Sequence, residues 1–238
     1  MNMKEMIATR HSCRAYKNEA VDEKTIESLK HFLVEAKPLF PELEVRYEFL
    51  GLDDMMPIAN YHAPHYIVVY AKKHPLAKVN AGFLFQQFDL YAQSLGLGVC
   101  WLGITGPEED LRKDFFATHP EYEYVISLSF GYQEGDGGPA HFHGRKPLEE
   151  ISDSLDERLE PARLAPSAKN GQPWYFLHKE DGYDVYKDDN PAVTRWQEVD
   201  IGIALAHLYV YHPVTFEAFT REEPKELEKR IYITSIPF

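Results

Sequence analysis

The run A-P-S-A-K-N-G-Q-P-W, Ala165 to Trp174, decides how the rest of the chain is read. Pro166 biases Ala165 away from the α region, and Pro173 does the same to Gln172. With Ser167, Asn170 and Gly171 between these restraints, the run predicts a fixed connector rather than a floppy one. Such a loop presents backbone amides and short polar side chains at a surface, as a planar polar ligand requires. An ordinary helix-to-strand connection satisfies the same local chemistry, so the decision falls to the surrounding sequence.

Upstream of the loop the pattern predicts a helix capped by Ser154 and running to Leu164; downstream it predicts a strand, Trp174 to Leu177. E-D-G-Y-D-V-Y-K then reads as a hairpin turning at Asp181 and Gly182. Asp200 to Tyr211 reads as a helix rich in Ile, Gly and Ala, and Pro224 to Arg230 as a last helix before a strand, Ile231 to Ile236. A similar order appears in the earlier sequence. A helix from Glu23 to Ala36, capped by Asp22, leads to a strand from Glu44 to Leu50. A buried strand, Tyr66 to Ala71, precedes an interior helix from Val79 to Leu95. A helix from Pro107 to Phe116 and a strand from Tyr124 to Gly131 complete this part.

Set side by side, A-G-F-L-F-Q-Q-F (Ala81 to Phe88) and I-G-I-A-L-A-H-L (Ile201 to Leu208) align a glycine and five further apolar positions. Ala36 to Leu50 and Leu164 to Leu177 likewise align a helix end, a proline and an aromatic strand. Identity is slight. The likeness indicates either a doubled α+β unit or two helix-loop-strand units alike by chance.

Composition narrows the function. The 238 residues give ample core, with 44% hydrophobic and 13% aromatic residues. A formal net charge of −13, from 25 basic and 38 acidic residues, makes nucleic acid and anionic membranes poor partners. Two cysteines, Cys13 and Cys100, build no disulfide framework; Cys100 reads as a buried thiol, and a reducing, cytoplasmic setting fits. Met1 to Arg10 lacks the apolar core of a signal peptide, and the longest apolar run, Ile201 to Tyr211, is too short to span a bilayer.

The chemical constellations are few. R-H-S-C-R, Arg10 to Arg14, offers two guanidiniums and a hydroxyl suited to phosphate oxygens. Arg145 and Lys146 form a second small basic site. Cys13, among these cations, invites a lowered thiol pKa. G-L-G-V-C-W-L-G, Gly96 to Gly103, fails the dinucleotide fingerprint because Trp101 stands at its third glycine position and the run leaves a helix instead of opening one. No P-loop is present. His141 and His143 lack partners at ligand spacing, so no metal is expected, and Ser167 has no nucleophile-elbow context.

Together these runs resemble the FMN-dependent nitroreductase family. R-H-S-C-R resembles its R-x-S-x-R/K signature, G-L-G-V-C-W-L-G the run after its central helix, and G-R-K-P-L-E-E its phosphate-binding tail. A-P-S-A-K-N-G-Q-P-W is similar to the family's A-P-S-S-x-N-x-Q-P-W loop almost residue for residue. The order departs from the ordinary family: residues 1–150 carry the phosphate and G-L-G motifs but have L-F-P-E-L where the loop would stand, whereas residues 151–238 carry the loop alone. The resemblance is to a single-chain branch, and it implies an α+β nitroreductase-like fold. Two tandem half-repeats would form an internal pseudo-dimer, with antiparallel sheets around central buried helices and one flavin site per chain. Such a chain would be a monomer, with further pairing left open.

By matching position, the resemblance implies that Arg10, Ser12, Arg145 and Lys146 hold the FMN phosphate, with backbone from His11. Arg14 would face the pyrimidine edge, and Leu102, Gly103 and Ile104 would pass flavin N5. Pro166, Ser167, Ala168 and Asn170 would approach from the second half. The implied reaction carries hydride from NADH or NADPH through flavin N5 to a nitroaromatic, quinone or similar small acceptor, with no catalytic side chain. A flavin-binding protein without turnover, used for sensing or storage, is the alternative.

Overall fold

A computed structural model describes residues 2–137, 144–190, 195–213 and 216–237. Helix α1 (Met3–Thr9) is opened by an Asn2 and Glu5 capping box and buries Met6 and Ile7. In α2 (Glu23–Glu35) the Asp22 carboxylate accepts from Thr25 N–H, as its position predicts. Strands β1 (Val45–Gly51) and β2 (His65–Lys72) lead into the long helix α3 (Pro75–Ser94), which begins four residues earlier than the apolar pattern indicates because Pro75 fits its first turn. Next come β3 (Leu97–Leu102), α4 (Glu109–Thr118) and β4 (Tyr122–Tyr132). These four strands form one antiparallel sheet in the order β1-β2-β4-β3.

The later chain opens with the short helices α5 (Leu148–Ile151) and α6 (Glu160–Arg163). Strands β5 (Trp174–Lys179), β6 (Gly182–Asp188) and β7 (Arg230–Ile236) form a second antiparallel sheet in that order, with α7 (Gln197–Tyr211) packed beside it. Among the described residues no helix is long and apolar enough to cross a membrane.

Two expected helices are replaced by other structure. Ser154 caps nothing; its amide donates to Ser152 Oγ, and Asp156 instead caps a 3-10 turn at Glu157–Leu159 before α6. Pro161, lacking an N–H, suits only the first turn of a helix, which moves the start of α6 up to it. Pro224 to Arg230 is a loop that turns back at Lys229, where φ is +58°, with Leu227 bridged to Arg230. Two contacts tie it to the second sheet's side of the fold: the Lys225 carbonyl accepts from Tyr186 OH, and the Lys229 carbonyl accepts from Asp189 N–H at 2.9 Å. Helix α4 likewise starts two residues beyond Pro107, which instead bridges Met55.

Helices α3 and α7 are apolar on every face because each is buried on every face, and they pack chiefly on one another. Their glycines explain how closely they approach. A Cβ on Gly82 would stand 2.1 Å from the carbonyl oxygen of Val199, and a Cβ on Gly202 would stand 2.0 Å from that of Val79. Each glycine thus faces the residue three positions before the other. This is the self-complementary contact that a twofold axis produces.

A second correspondence follows two residues before each glycine. Asn80 Oδ1 accepts from the amides of Leu39 and Phe40 at 2.8 and 3.2 Å, and Asp200 Oδ1 accepts from the amide of Ala168 at 2.9 Å. Phe40 and Ala168 each lie two residues after a proline, Pro38 and Pro166. One carboxamide or carboxylate therefore anchors one proline-led connector on each side of the helix pair.

Replacing Gly82 or Gly202 with Ala is expected to cost about 3 kcal/mol or more in urea unfolding, because only backbone could move aside. Gly144→Ala, which meets nothing within 4 Å, should stay within about 0.5 kcal/mol of the parent. A Gly202→Ala protein as stable as the parent would disprove the close crossing.

Candidate functional site

A cavity of about 460 Å³ opens between the end of β3 and the N-terminal half of α7, walled by Ser12 and Arg14, by Trp101 to Ile104, and by Pro166 to Lys169. Its floor and remaining walls come from Ile126, the N-terminal half of α7 (Val199, Asp200, Ile203), Trp196, and Ala59 and Tyr61. The start of the chain reaches this place by running alongside β3: Ser12 bridges Val99, and Cys13 N–H donates to the Val99 carbonyl at 2.9 Å. Gly98 permits that approach, since a Cβ there would fall 2.5 Å from Cys13 Sγ. Cys13 is fully buried, and burial pushes its thiol up, against the lowered value its cationic neighbours imply. Cys100 is buried as expected, with its thiol pushed up to about 11.

The A-P-S loop is as fixed as its prolines imply. Besides the Ala168 bond to Asp200, Gln172 is fully buried: its amide donates to Ser167 Oγ at 2.9 Å and its side-chain Nε2 to the Arg163 carbonyl at 3.0 Å. Gln172 in turn accepts from Lys146, at Oε1 from the backbone N–H (2.7 Å) and at its carbonyl from Nζ (3.0 Å). Within this frame Lys169, Asn170 and Gln172 hold φ of +53°, +54° and +44°, which glycine adopts far more easily. Ala59 and Tyr61 are also left-handed, at +52° and +55°. Three left-handed non-glycine residues thus line one cavity, and such strain gathers where a surface is shaped for a ligand.

Arg14 and Lys169 stand on the cavity wall, and the other basic residues of the site gather beside the loop. Arg10 is 7% exposed and its Nε lies 3.2 Å from Asp89 Oδ2 on α3. Arg145 donates to Asn170 Oδ1, and Asn170 Nδ2 donates to the Gly144 carbonyl at 3.2 Å. Burial, followed by repulsion from Arg10 and Arg163, brings the Arg145 guanidinium down to about 10. Arg163 is paired with Glu160. Arg10 Nη2 and His11 Nε2 are buried without a hydrogen-bond partner among the described residues. Converging guanidiniums with an unpartnered nitrogen are the setting that a bound anion relieves.

Of the expected site residues, Ser12, Arg14, Leu102, Gly103, Ile104, Pro166, Ser167 and Ala168 share the cavity. Arg10 and Arg145 repel one another, and Lys146 and Asn170 reach the same loop; His11 follows Arg10 directly. Ala59, Tyr61, Lys169, Trp196 and Asp200 were not anticipated. Lys169 lies inside the quoted loop, and Asp200 stands one residue before the aligned octet, as Asn80 does before its own. His141 and His143 lie outside the described residues, and among the described residues no three of His, Cys, Asp and Glu are placed to hold a metal ion.

A family profile described as "Putative TM nitroreductase" matches residues 2–211. The fold is similar to a crystal structure from Thermotoga maritima MSB8 titled a putative nitroreductase. The TM-score is 0.67 and the identity 24%, over 94% of this chain and 91% of that one. A nitroreductase family protein from Clostridium difficile 630 is similar over 63% of this chain and 96% of its own, at TM-score 0.50 and 23% identity. No curated protein matches the sequence.

His207, on α7 behind the basic group, is fully buried and donates from Nδ1 to the Pro161 carbonyl at 3.0 Å. Burial, then Arg10, hold its pKa down to about 3. Between pH 6.5 and 3 the unfolded chain therefore binds a proton that the folded protein refuses, and stability is lost as pH falls. Relative to His207→Gln, the parent should lose about 1.4 kcal/mol per pH unit below pH 6.5 in urea unfolding. Parallel profiles for the two proteins would contradict the buried neutral imidazole.

Proposed function

The chain belongs to the putative TM nitroreductase family, and from that premise we propose that it is an FMN-dependent NAD(P)H oxidoreductase whose one flavin site is assembled by two halves of the same polypeptide. The observation that carries this reading is the shared cavity. Ser12 and Arg14 from the first residues, Leu102 to Ile104 from the end of β3, and Pro166 to Ala168 from the later loop wall a single space. Residues 1–150 and 151–238 act as the two halves, and the reciprocal glycine contacts of α3 and α7 support the internal pseudo-dimer.

The fit of the group rests on the buried Arg10 nitrogen without a partner, beside a second guanidinium, Arg145. When bound, FMN supplies two-electron transfer between NADH or NADPH and a small acceptor such as a nitroaromatic or a quinone. Arg10, Arg145 and Lys146 would take the phosphate, with the Ser12 hydroxyl and the His11 backbone beside them. Arg14 sets a cation in the cavity wall where the pyrimidine edge would lie, and a fixed positive charge there stabilises negative charge arriving at that edge. Backbone N–H groups along Leu102, Gly103 and Ile104 offer a donor without a titratable side chain. Ala168, held by Asp200, and Asn170, held by Arg145, fix the facing wall. Orientation and exclusion of water are then the protein's share of the chemistry.

Reconstituted with FMN and passed through a desalting column, the protein should carry close to one FMN per chain. Arg145→Gln should weaken FMN binding about 10-fold or more, the loss of a charge-assisted bond. Anaerobic addition of NADH and NADPH should bleach the yellow band with at least one of them. A flavin that stays yellow with both would replace the reductase reading with a binding module used for storage or sensing.

A further inference from the structure

Two groups on the cavity wall lie outside the set proposed to hold the flavin, and both come from the later half of the chain. Lys169 stands at the loop position between Ala168 and Asn170, exposed, with its backbone held left-handed. The strain is imposed by bonds on either side: Ala168 N–H to Asp200 and Asn170 N–H to the Ser167 carbonyl at 3.0 Å. Lys169 makes no ion pair among the described residues, although the chain carries an excess of acids. Trp196, at the N-terminal edge of α7, lies against Gly103: a Cβ on that glycine would stand 2.7 Å from the indole ring. Arg195 holds the indole, with its guanidinium 4.5 Å from the ring centre and its Nη2 donating to the Gly103 carbonyl at 3.0 Å. Ile104, 65% exposed, and Tyr61 complete an apolar rim on the same cavity.

An aromatic platform that is half-buried and pinned, an apolar rim, and one uncommitted cation on the same wall match a planar ring bearing an anionic substituent. The ring gains by stacking and the substituent by a charge-assisted bond. We propose that Trp196 and Lys169 select the electron acceptor, and that the preferred class is an aromatic compound carrying a carboxylate or comparable anion. The proposal rests on the flavin reading above, since it assigns the cavity space left beside the flavin. It adds two specificity-determining residues and a charge preference that the flavin chemistry alone does not set.

The test uses the FMN-loaded, oxidised protein without a nicotinamide, so that donor binding plays no part. 4-Nitrobenzoate and its neutral counterpart 4-nitrobenzamide are titrated at low salt, followed by perturbation of the flavin band and by equilibrium dialysis. The carboxylate should bind about 10-fold tighter, and the ratio should shrink as salt screens the lysine. Lys169→Gln should bring the two ligands within about 2-fold of each other, and Lys169→Arg should keep the preference. Trp196→Leu should weaken both ligands by a similar factor, about 3- to 10-fold, while leaving their ratio. Trp196→Phe, which retains a ring and keeps the fold under control, should lose less. Equal binding of the two ligands by the parent, or an unchanged ratio in Lys169→Gln, overturns the proposal. A parent that retains no FMN after dialysis refutes the flavin reading instead, so the two failures are told apart.

Discussion

The architecture depends on two helices whose backbones touch. Val79 and Val199 each place a carbonyl where a side chain on the opposing glycine would have to go, so α3 and α7 meet only while both positions remain Gly82 and Gly202. That contact brings the two sheets together over a shared apolar core, which runs from Val69 and Phe88 to Val185 and Leu205. It also fixes the cavity. The N-terminal half of α7 supplies one wall of the site, and α3 carries Asp89, the partner of Arg10. A shift at the crossing would move both walls relative to each other.

Among the described residues, the two sides of this contact frame different spaces. On the α7 side, Asp200 anchors a loop of small residues, and Ser167 and Ala168 leave space beside it. On the α3 side, Asn80 anchors the corresponding connector, and Leu39 and Phe40 bury their side chains there at 9% and 7% exposure. Asn80 also donates to the carbonyls of Phe40 and Leu43 at 3.1 and 2.8 Å, bonds a carboxylate could not make. A space of about 260 Å³ is left, lined by groups such as Leu33, Leu84 and Phe85 with no guanidinium among them. The two sides share a scaffold and differ in what the connector inserts. This asymmetry matches the proposed division of residues 1–150 and 151–238 into one half that supplies cations and another that supplies the loop.

Much of this was legible in the sequence, for reasons that differ by element. The buried strands and the two central helices declare themselves by composition, because an element enclosed on all faces has no polar side. The rigid loop was legible because two prolines and a short polar run leave few conformations. The aligned glycines pointed to the crossing without revealing that they face each other's neighbouring turn. Helix ends were less legible: Pro161 moved the start of α6, and the last expected helix lacked an apolar face to bury. The basic group was only half visible. Arg10 reads as a free cation in the sequence, yet it is buried against Asp89, a partner 79 positions away that no local pattern connects to it. Lys169 stood in view within the loop without a sign of its left-handed backbone, and Tyr61 and Trp196 were invisible, because backbone strain and ring placement are set by tertiary contacts rather than by neighbours in the chain.

A crystal structure of the protein soaked in FMN tests the central claim most directly. The account predicts isoalloxazine density inside a single chain, between the Gly103 segment and the Ala168 loop, with the phosphate against Arg10 and Arg145. Flavin density shared between two molecules, or lying on the Asn80 side of the helix pair, would contradict it.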